Sequence, residues 1–313
     1  MKQVDTLTMN PAVDVSVSTM KVLPEEKLRC SRPSFEPGGG GINVSRAISK
    51  LGGSAAPIVL AGGHSGRLLS ELLESGSLEP EVLSIKDTTR QNFTVLDKSA
   101  EVQYRFVMPG PEVTSDELVK VEKKVKNITP RPDFLVLSGS LPESVNPDFY
   151  ARVIRTAKER GTKVILDTSG KPLKRALEEG VFLAKPNIGE MVKLAERKLE
   201  EEPQQIGFAR ELIDRGSAEA IVVSLGAGGA FLITEERSTH LRSPTVPIIS
   251  KVGAGDSMVA GITFGLANDY SLQASASLGV AAGAAAVMTP GTELCRKEDA
   301  LRLWDQVRTQ ETK

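Results

Sequence analysis

The chain has 313 residues, 40% hydrophobic and 25% charged, with 39 basic residues against 40 acidic ones. That balance excludes a nucleic-acid or anionic-membrane face built on bulk charge, so a bound anion must be held by local groups. Cys30 and Cys295 make no disulfide framework and suit a reducing compartment, and no apolar run is long enough to span a membrane. MKQVDTLTMNPAVD lacks the apolar core of a signal peptide, so a cytoplasmic protein is expected.

Short apolar runs predict strands at Val4–Met9, Pro57–Ala61, Phe134–Leu137, Val164–Asp167, Phe182–Ala184, Ala220–Ser224 and Ala230–Ile233. Amphipathic patterns predict helices at Ile42–Leu51, Gly66–Leu73, Asp116–Val125, Asp148–Arg160 and Pro203–Arg215. Three more close the chain, at Asp256–Ala267, Leu272–Met288 and Lys297–Arg308. This alternation predicts one α/β domain over 1–313: a three-layer αβα sandwich around a mostly parallel sheet. Two segments break the rhythm, 13–35 and 82–107, and their polar alternation (Gln103-Tyr104-Arg105-Phe106-Val107) predicts a small separate β-sheet, a lid. The alternative is two long ordered loops, which compact domains rarely carry.

Several common signatures are absent. Lys171 follows Gly170 but precedes Pro172, so there is no G-x-x-x-x-G-K-[ST] phosphate loop, and neither G-x-G-x-x-G nor G-x-S-x-G occurs. His64 and His240 have no partners at zinc-ligand spacing. Two glycine clusters remain, each opening a helix. In Pro37-Gly38-Gly39-Gly40-Gly41-Ile42-Asn43, the glycines let a ligand reach the unpaired amides of a helix start, with Asn43 pointing from the first turn. The alternative is a flexible hinge. In Gly253-Ala254-Gly255-Asp256 the same amides can form an anion hole, and Asp256 stands beside it. A carboxylate next to a bound anion is unfavourable unless it takes the proton from a hydroxyl attacking that anion. Ligands on such sheets bind outside the carboxyl ends of the strands, where most of these motifs fall.

With these residues in view, the chain resembles the ribokinase-like sugar kinases over its whole length. The match extends to Thr8-x-Asn10-Pro11-Ala12-x-Asp14, Ser138-Gly139-Ser140-Leu141-Pro142, Lys185-Pro186-Asn187-x-x-Glu190 and Val223-Ser224-Leu225-Gly226-x-x-Gly229. Pro24–Cys30, Thr89–Asn92 and Gln103–Gly110 look closest to the 6-phosphofructokinase members of its phosphofructokinase B branch. The resemblance implies transfer of the γ-phosphoryl of MgATP to the 1-hydroxyl of fructose 6-phosphate. Asp256 is then the base, with Gly253, Ala254 and Gly255 as the anion hole. Asp14, Gly38, Gly39, Asn43 and Ser138 line the sugar pocket. Arg90 and Arg105 grip the sugar's phosphate, and Lys27 reaches it, across a dimer interface if need be. The bland readings are a strand-end acid for Asp14 and exposed charges for the three cations.

On the nucleotide side the resemblance implies Lys185 near the phosphates and Asn187 and Glu190 placing Mg2+ mostly through water. Ser224, Gly226 and Gly229 approach ATP, and Val280 and Gly283 flank adenine, with plain helix packing as the alternative for both. Ser250 and Val252 offer oxygens to a monovalent cation, K+, although Glu293 stands where relatives carry a basic or neutral residue. Tagatose 6-phosphate and fructose 1-phosphate are the rival acceptors, and the second is disfavoured by the absence of a lysine among Gly38–Gly41. A non-catalytic phosphosugar sensor is the rival of another class, and the presence of Asp256 argues against it. A nicotinamide oxidoreductase lacks its fingerprint here. The lid sheet, with edges and an apolar face to cover, implies a homodimer.

Overall fold

The computed structural model describes residues 1–76 and 78–312. The chain begins with β1 (Val4–Thr8), β2 (Ala12–Thr19), β3 (Ser34–Gly38), α1 (Gly40–Lys50), β4 (Ala56–Ala61) and α2 (Gly63–Ser75). It continues through β5 (Glu81–Ser84), β6 (Arg90–Asp97), β7 (Val102–Phe106), α3 (Ser115–Asn127), β8 (Phe134–Ser138) and α4 (Phe149–Glu159). Then come β9 (Lys163–Asp167), α5 (Gly170–Glu178), β10 (Val181–Ala184), α6 (Ile188–Ala195), α7 (Glu202–Asp214) and β11 (Ala218–Ser224). The last part holds β12 (Ala230–Thr234), β13 (Ser238–Arg242), α8 (Ala254–Ala267), α9 (Leu272–Val287), α10 (Lys297–Trp304) and β14 (Arg308–Thr312).

Ten strands form one sheet in the order β14-β13-β12-β11-β10-β9-β8-β1-β4-β5. Pairing is parallel from β5 through to β11, and antiparallel from β11 to β14. Alternate residues of each parallel strand feed opposite cores, as the period of two requires. Leu135 and Leu137 of β8, Val164 and Leu166 of β9, and Ile221 and Val223 of β11 enter the core beneath α3, α4 and α7. Phe134, Val136, Ile165, Ala220 and Val222 enter the other, shared with α1, α8, α9 and α10. This is the expected three-layer sandwich.

Four strands make a second sheet, ordered β3-β2-β6-β7, with β2–β6 parallel and the outer pairs antiparallel. Its composition differs from the expectation in two ways. β5, inside 82–107, pairs with β4 in the main sheet, because Val82 and Leu83 extend the apolar register of Val59 and Leu60. Between β2 and β3 the chain is irregular, so 13–35 supplies one full strand and the start of another. The last helix is shorter than expected: α10 stops at Trp304, whose ring stacks on Tyr270 at 5.5 Å, and Arg308 begins an edge strand.

Helices α8 and α9 are apolar on nearly every face and lie against each other through small residues. A Cβ on Gly261 would sit 2.8 Å from Gly279 Cα, and one on Gly283 would sit 3.2 Å from the Ala254 carbonyl. This close approach fixes where the N-terminus of α8 emerges above the sheet.

Candidate active site

The site gathers at the carboxyl ends of β1, β8, β9 and β10, where α1 and α8 begin. Gly253, the N-cap of α8, is left-handed with φ 75°, and no side chain caps the helix. A side chain there would be strained and would run into Leu294. The amides of the first turn are therefore left for an outside acceptor. Asp256, in that turn, has one oxygen 2.8 Å from the Asn43 side-chain nitrogen, which donates to it from the first turn of α1. Burial, and then Asp167, push the Asp256 carboxyl up from 3.8 to about 6, against the opposing pull of Asn43 and Lys185.

Lys185 is 5% exposed, and its Nζ lies 3.1 Å from Asp167 Oδ1 at the end of β9. Burial alone would lower its pKa, but Asp167, Glu190 and Asp256 more than offset that and raise it, so the ammonium stays charged. It lies close to α8: a Cβ on Gly255 would come within 3.7 Å of Nζ. One cation and two carboxylates thus surround the uncapped helix start.

The lid forms the opposite wall. Asp14 of β2 and Asn92 of β6 are register neighbours, and the Asn92 amide donates to Asp14 Oδ1 at 2.8 Å. The Asn92 carbonyl accepts from the Met108 amide at 3.2 Å, which fixes the direction of the side chain. Burial raises the Asp14 carboxyl above its ordinary range, with Asn92, Arg105 and Arg90 pulling the other way. Gly38 pairs with Ala12, and a Cβ on it would collide with the Asp14 carboxylate, so this glycine makes room for the acid. Gly39, the N-cap of α1, has φ 122° and packs against Thr8 and Pro11. Ser138 is buried at the end of β8 with its hydroxyl unpartnered, directly beneath Gly40. A small cavity between the lid and the main body is lined by Asp14, Asn92, Arg105, Val252, Gly291 and Thr292.

The structure brings together Asp14, Gly38, Asn43, Arg105, Ser138, Lys185, Gly253, Ala254, Gly255 and Asp256 of the sequence candidates. Others stand differently. The Arg90 outer nitrogens donate to the Asn10 carbonyl at 3.0 Å and the Met108 carbonyl at 3.2 Å, while its Nε is buried without a partner. Arg90 here ties the lid to the turn between β1 and β2 rather than standing as a free surface charge. Lys27 is exposed in the irregular segment between β2 and β3 and does not line the cavity. Val280 and Gly283 lie inside the α8–α9 packing, which accounts for both without a ligand.

Asn187 and Glu190 cap α6 reciprocally: Asn187 Oδ1 accepts from the Glu190 amide at 2.9 Å, and Glu190 Oε2 from the Asn187 amide at 2.8 Å. Burial raises the Glu190 carboxyl. Among the described residues, no cluster of three or more His, Cys, Asp or Glu side chains could cage a metal. Mg2+ needs no such cage, since it keeps its waters and is carried by substrate phosphates plus one or two carboxylates. Glu190, close enough to Lys185 for their charges to interact, fits that limited part. Ser224 bridges to Asn187 at the end of β11. Gly226 and Gly229 both have positive φ, and a Cβ on Gly229 would collide with the Leu241 carbonyl. Ser250 donates to the Gly291 carbonyl at 3.2 Å, joining the loop before Val252 to the loop that holds Glu293. The Glu293 carboxylate is itself paired with Arg296 at 2.8 Å.

Sequence reasoning missed Asp167, Asn92, Arg46 and Glu36. Asp167 alone had a signal, as an acid closing an apolar strand run at the ligand-binding edge of the sheet.

An uncapped helix start with a half-buried acid, a charged lysine beside it and a polar lid opposite define a phosphoryl-transfer site for a hydroxylated acceptor. Residues 6–299 match the model of the pfkB family carbohydrate kinases, and the chain belongs to that family of enzymes. The chain is 44% identical over 300 residues to the ATP-dependent 6-phosphofructokinase isozyme 2 of Mycobacterium tuberculosis, covering 96% of this chain and 88% of that one. The phosphofructokinase-2 of Escherichia coli, solved in complex with potassium, superimposes with a TM-score of 0.94 at 41% identity, covering 98% of this chain and 99% of that one. The same E. coli enzyme has been solved in complex with fructose-6-phosphate (TM-score 0.92, 40% identity, covering 98% and 99%) and as a tetrameric inhibited form (0.93, 41%, 98% and 99%).

Proposed function

We propose that this carbohydrate kinase is an ATP-dependent 6-phosphofructokinase. It moves the γ-phosphoryl of ATP to the 1-hydroxyl of fructose 6-phosphate, giving fructose 1,6-bisphosphate and ADP. The observation that carries the reading is Asp256, a carboxylate raised to about 6 and held by Asn43 at the uncapped start of α8. At neutral pH such a group is mostly ionised, yet basic enough to take a proton from an alcohol as the oxygen attacks.

In this reading Asp14 and Asn92 orient the sugar hydroxyls, and Arg105 takes the 6-phosphate, with Arg90 and Lys27 as further cations for it. The attacking oxygen bonds to the γ-phosphorus, the bond to the ADP oxygen breaks, and the hydroxyl proton passes to Asp256. The amides of Gly253–Asp256 and the Lys185 ammonium stabilise the phosphoryl oxygens through a loose transition state, where placement and charge do most of the work. Bound with ATP, Mg2+ neutralises phosphate charge; Glu190 and Asn187 are its protein-side supports, and Ser224, Gly226 and Gly229 lie along the nucleotide. The carbonyls near Ser250 and Val252 are the place for K+.

We read residues 1–313 as one kinase unit in the cytoplasm, whose four-stranded sheet is both lid and homodimer face. Phe35, Phe93, Tyr104 and Phe106 are exposed on that sheet, which supports a partner covering it. Coupled ADP release with MgATP, run on fructose 6-phosphate, tagatose 6-phosphate, fructose 1-phosphate and fructose, tests the reading. The highest kcat/KM is expected on fructose 6-phosphate. Preference for another acceptor overturns the substrate but keeps the chemistry, and no turnover on any overturns both.

A further inference from the structure

Asn43 donates to Asp256 through its amide nitrogen, but an amide has two ends of nearly equal size and opposite chemistry. Something must hold the nitrogen toward the base. Arg46, three residues along α1 on the same face, donates to Asn43 Oδ1 at 3.3 Å. The same nitrogen of Arg46 donates to the Pro37 carbonyl at 3.1 Å. Its other terminal nitrogen lies 3.5 Å from Glu36 Oε1, and the Arg46 side chain is only 16% exposed. Glu36 is in turn held by the Thr292 hydroxyl, which donates to Oε2. A continuous line therefore runs from the loop at Thr292, through the lid strand β3, to α1 and the first turn of α8.

We propose that Arg46 is a positioning residue for the catalytic base, acting by fixing which end of the Asn43 amide faces Asp256. With the guanidinium in place, a flipped amide would set its carbonyl against the Asp256 carboxylate and its NH2 against a cation, and both contacts are repulsive. Without the guanidinium, only the carboxylate discriminates, and it stops doing so once protonated. Protonation and amide reversal then favour each other, and the base is harder to ionise. The groups facing Asp256 are Asn43 and Arg46 from α1, Asp14 from β2, Asp167 from the end of β9, and Lys185 after β10. Three carboxylates, Asp256 included, thus share two cations. Removing Arg46 pushes Asp256 the same way as losing the Asn43 bond.

The inference rests on Asp256 being the base of the kinase reaction, so its test includes a readout that needs no turnover. Carbon NMR of the carboxyls, with Asp256→Asn as the blank that assigns the signal, follows Asp256 directly. In Arg46→Met its titration should move up by about one pH unit, the size expected when a hydrogen bond to a charged group is lost. The acid limb of kcat should move with it, so that kcat falls by about twofold at pH 7 and by nearly tenfold at pH 5, and KM for MgATP should stay within about twofold. Arg46→Lys, which keeps the charge but has no planar fork, should fall between the two and serves if the methionine variant does not fold. In an Asn43→Ala background there is no amide to orient, so Arg46→Met should add only the smaller shift due to its lost charge, and Arg46→Lys should leave the titration where Asn43→Ala alone puts it. An unmoved Asp256 titration in the single variants, or an equal shift with and without Asn43, overturns the proposal. Sugars that are not turned over would count against the substrate reading while leaving the NMR result to decide this one.

Discussion

Asp256→Asn separates what the acid does for chemistry from what it costs the fold. The carboxyl titrates at 3.8 when unconstrained and at about 6 in the folded chain. Between those two values the folded state holds a proton that the unfolded state has released, so wild-type stability falls as pH rises through this window. Above pH 6 the loss is complete; below 3.8 it is absent. One pKa unit is worth about 1.4 kcal/mol, so a shift of two units caps the penalty near ~3 kcal/mol. The carboxylate retains some solvent contact, which brings the expectation to roughly 2 kcal/mol. The asparagine is nearly isosteric and its carbonyl still accepts from Asn43, so the variant should be more stable than wild type by that amount at pH 8, and by almost nothing at pH 3.5. Its kcat should fall by roughly 10²–10⁴-fold while MgATP still binds, since a negative charge beside the anion hole has gone. Urea unfolding at several pH values, with turnover on the same preparations, measures both. A variant less stable than wild type at pH 8, or one with full turnover, would refute the reasoning.

Four other substitutions probe different links. Arg105→Ala should raise KM for the phosphosugar by about ten- to a hundredfold, the worth of one charge-assisted contact, and leave the urea midpoint alone, because Arg105 lies on the exposed strand β7. Arg90→Ala should also lower stability by about 2 kcal/mol, since it releases the Asn10 and Met108 carbonyls and unties the lid; equal midpoints for the two arginine variants would contradict this. Gly38→Ala displaces the Asp14 carboxylate and little else, so a rise of at least tenfold in sugar KM with a near-normal melting temperature is expected from steady-state kinetics and calorimetry. Gly229→Ala places a Cβ against the Leu241 carbonyl at φ 93° and should cost about 3 kcal/mol, read as a fall in the urea midpoint.

The central strands are legible because each is a short apolar run bounded by turn residues, and β8, β9 and β11 alternate between two cores with almost no polar interruption. β13 escapes because Ser-Thr-His-Leu-Arg carries no apolar run; its place is set by pairing with β12. α5 and α6 escape because nine and eight residues are too few for a clear 3.6-residue period. In the site, the residues that could be read are those whose local spacing is peculiar: glycines before a helix, or an acid where a bound anion would repel it. Asn92, Arg46 and Glu36 have ordinary local surroundings, and their roles appear only once β2 meets β6 and α1 meets β3. The Asn43–Asp256 bond spans 213 residues, and no local pattern encodes it.

The start of α8 gives the physical reason for its own sequence. Helices α3, α6 and α9 are capped by Thr114, Asn187 and Ser271, whose side chains satisfy the amides of the first turn. At α8 the N-cap is Gly253 and carries no such group, which forgoes roughly a few tenths of a kcal/mol of local stabilisation. Asp256 occupies the third helical position, where an acid commonly turns back to the N-cap amide. Here its carboxylate is drawn instead to Asn43 on another helix. The glycine leaves the amides open, and the contact with Asn43 keeps the acid from closing them. Both choices cost the isolated helix, and the glycine-lined packing of α8 on α9 keeps it in place without the cap. The helix start is thereby free to receive an anion, with a base beside it that is not already committed to the backbone.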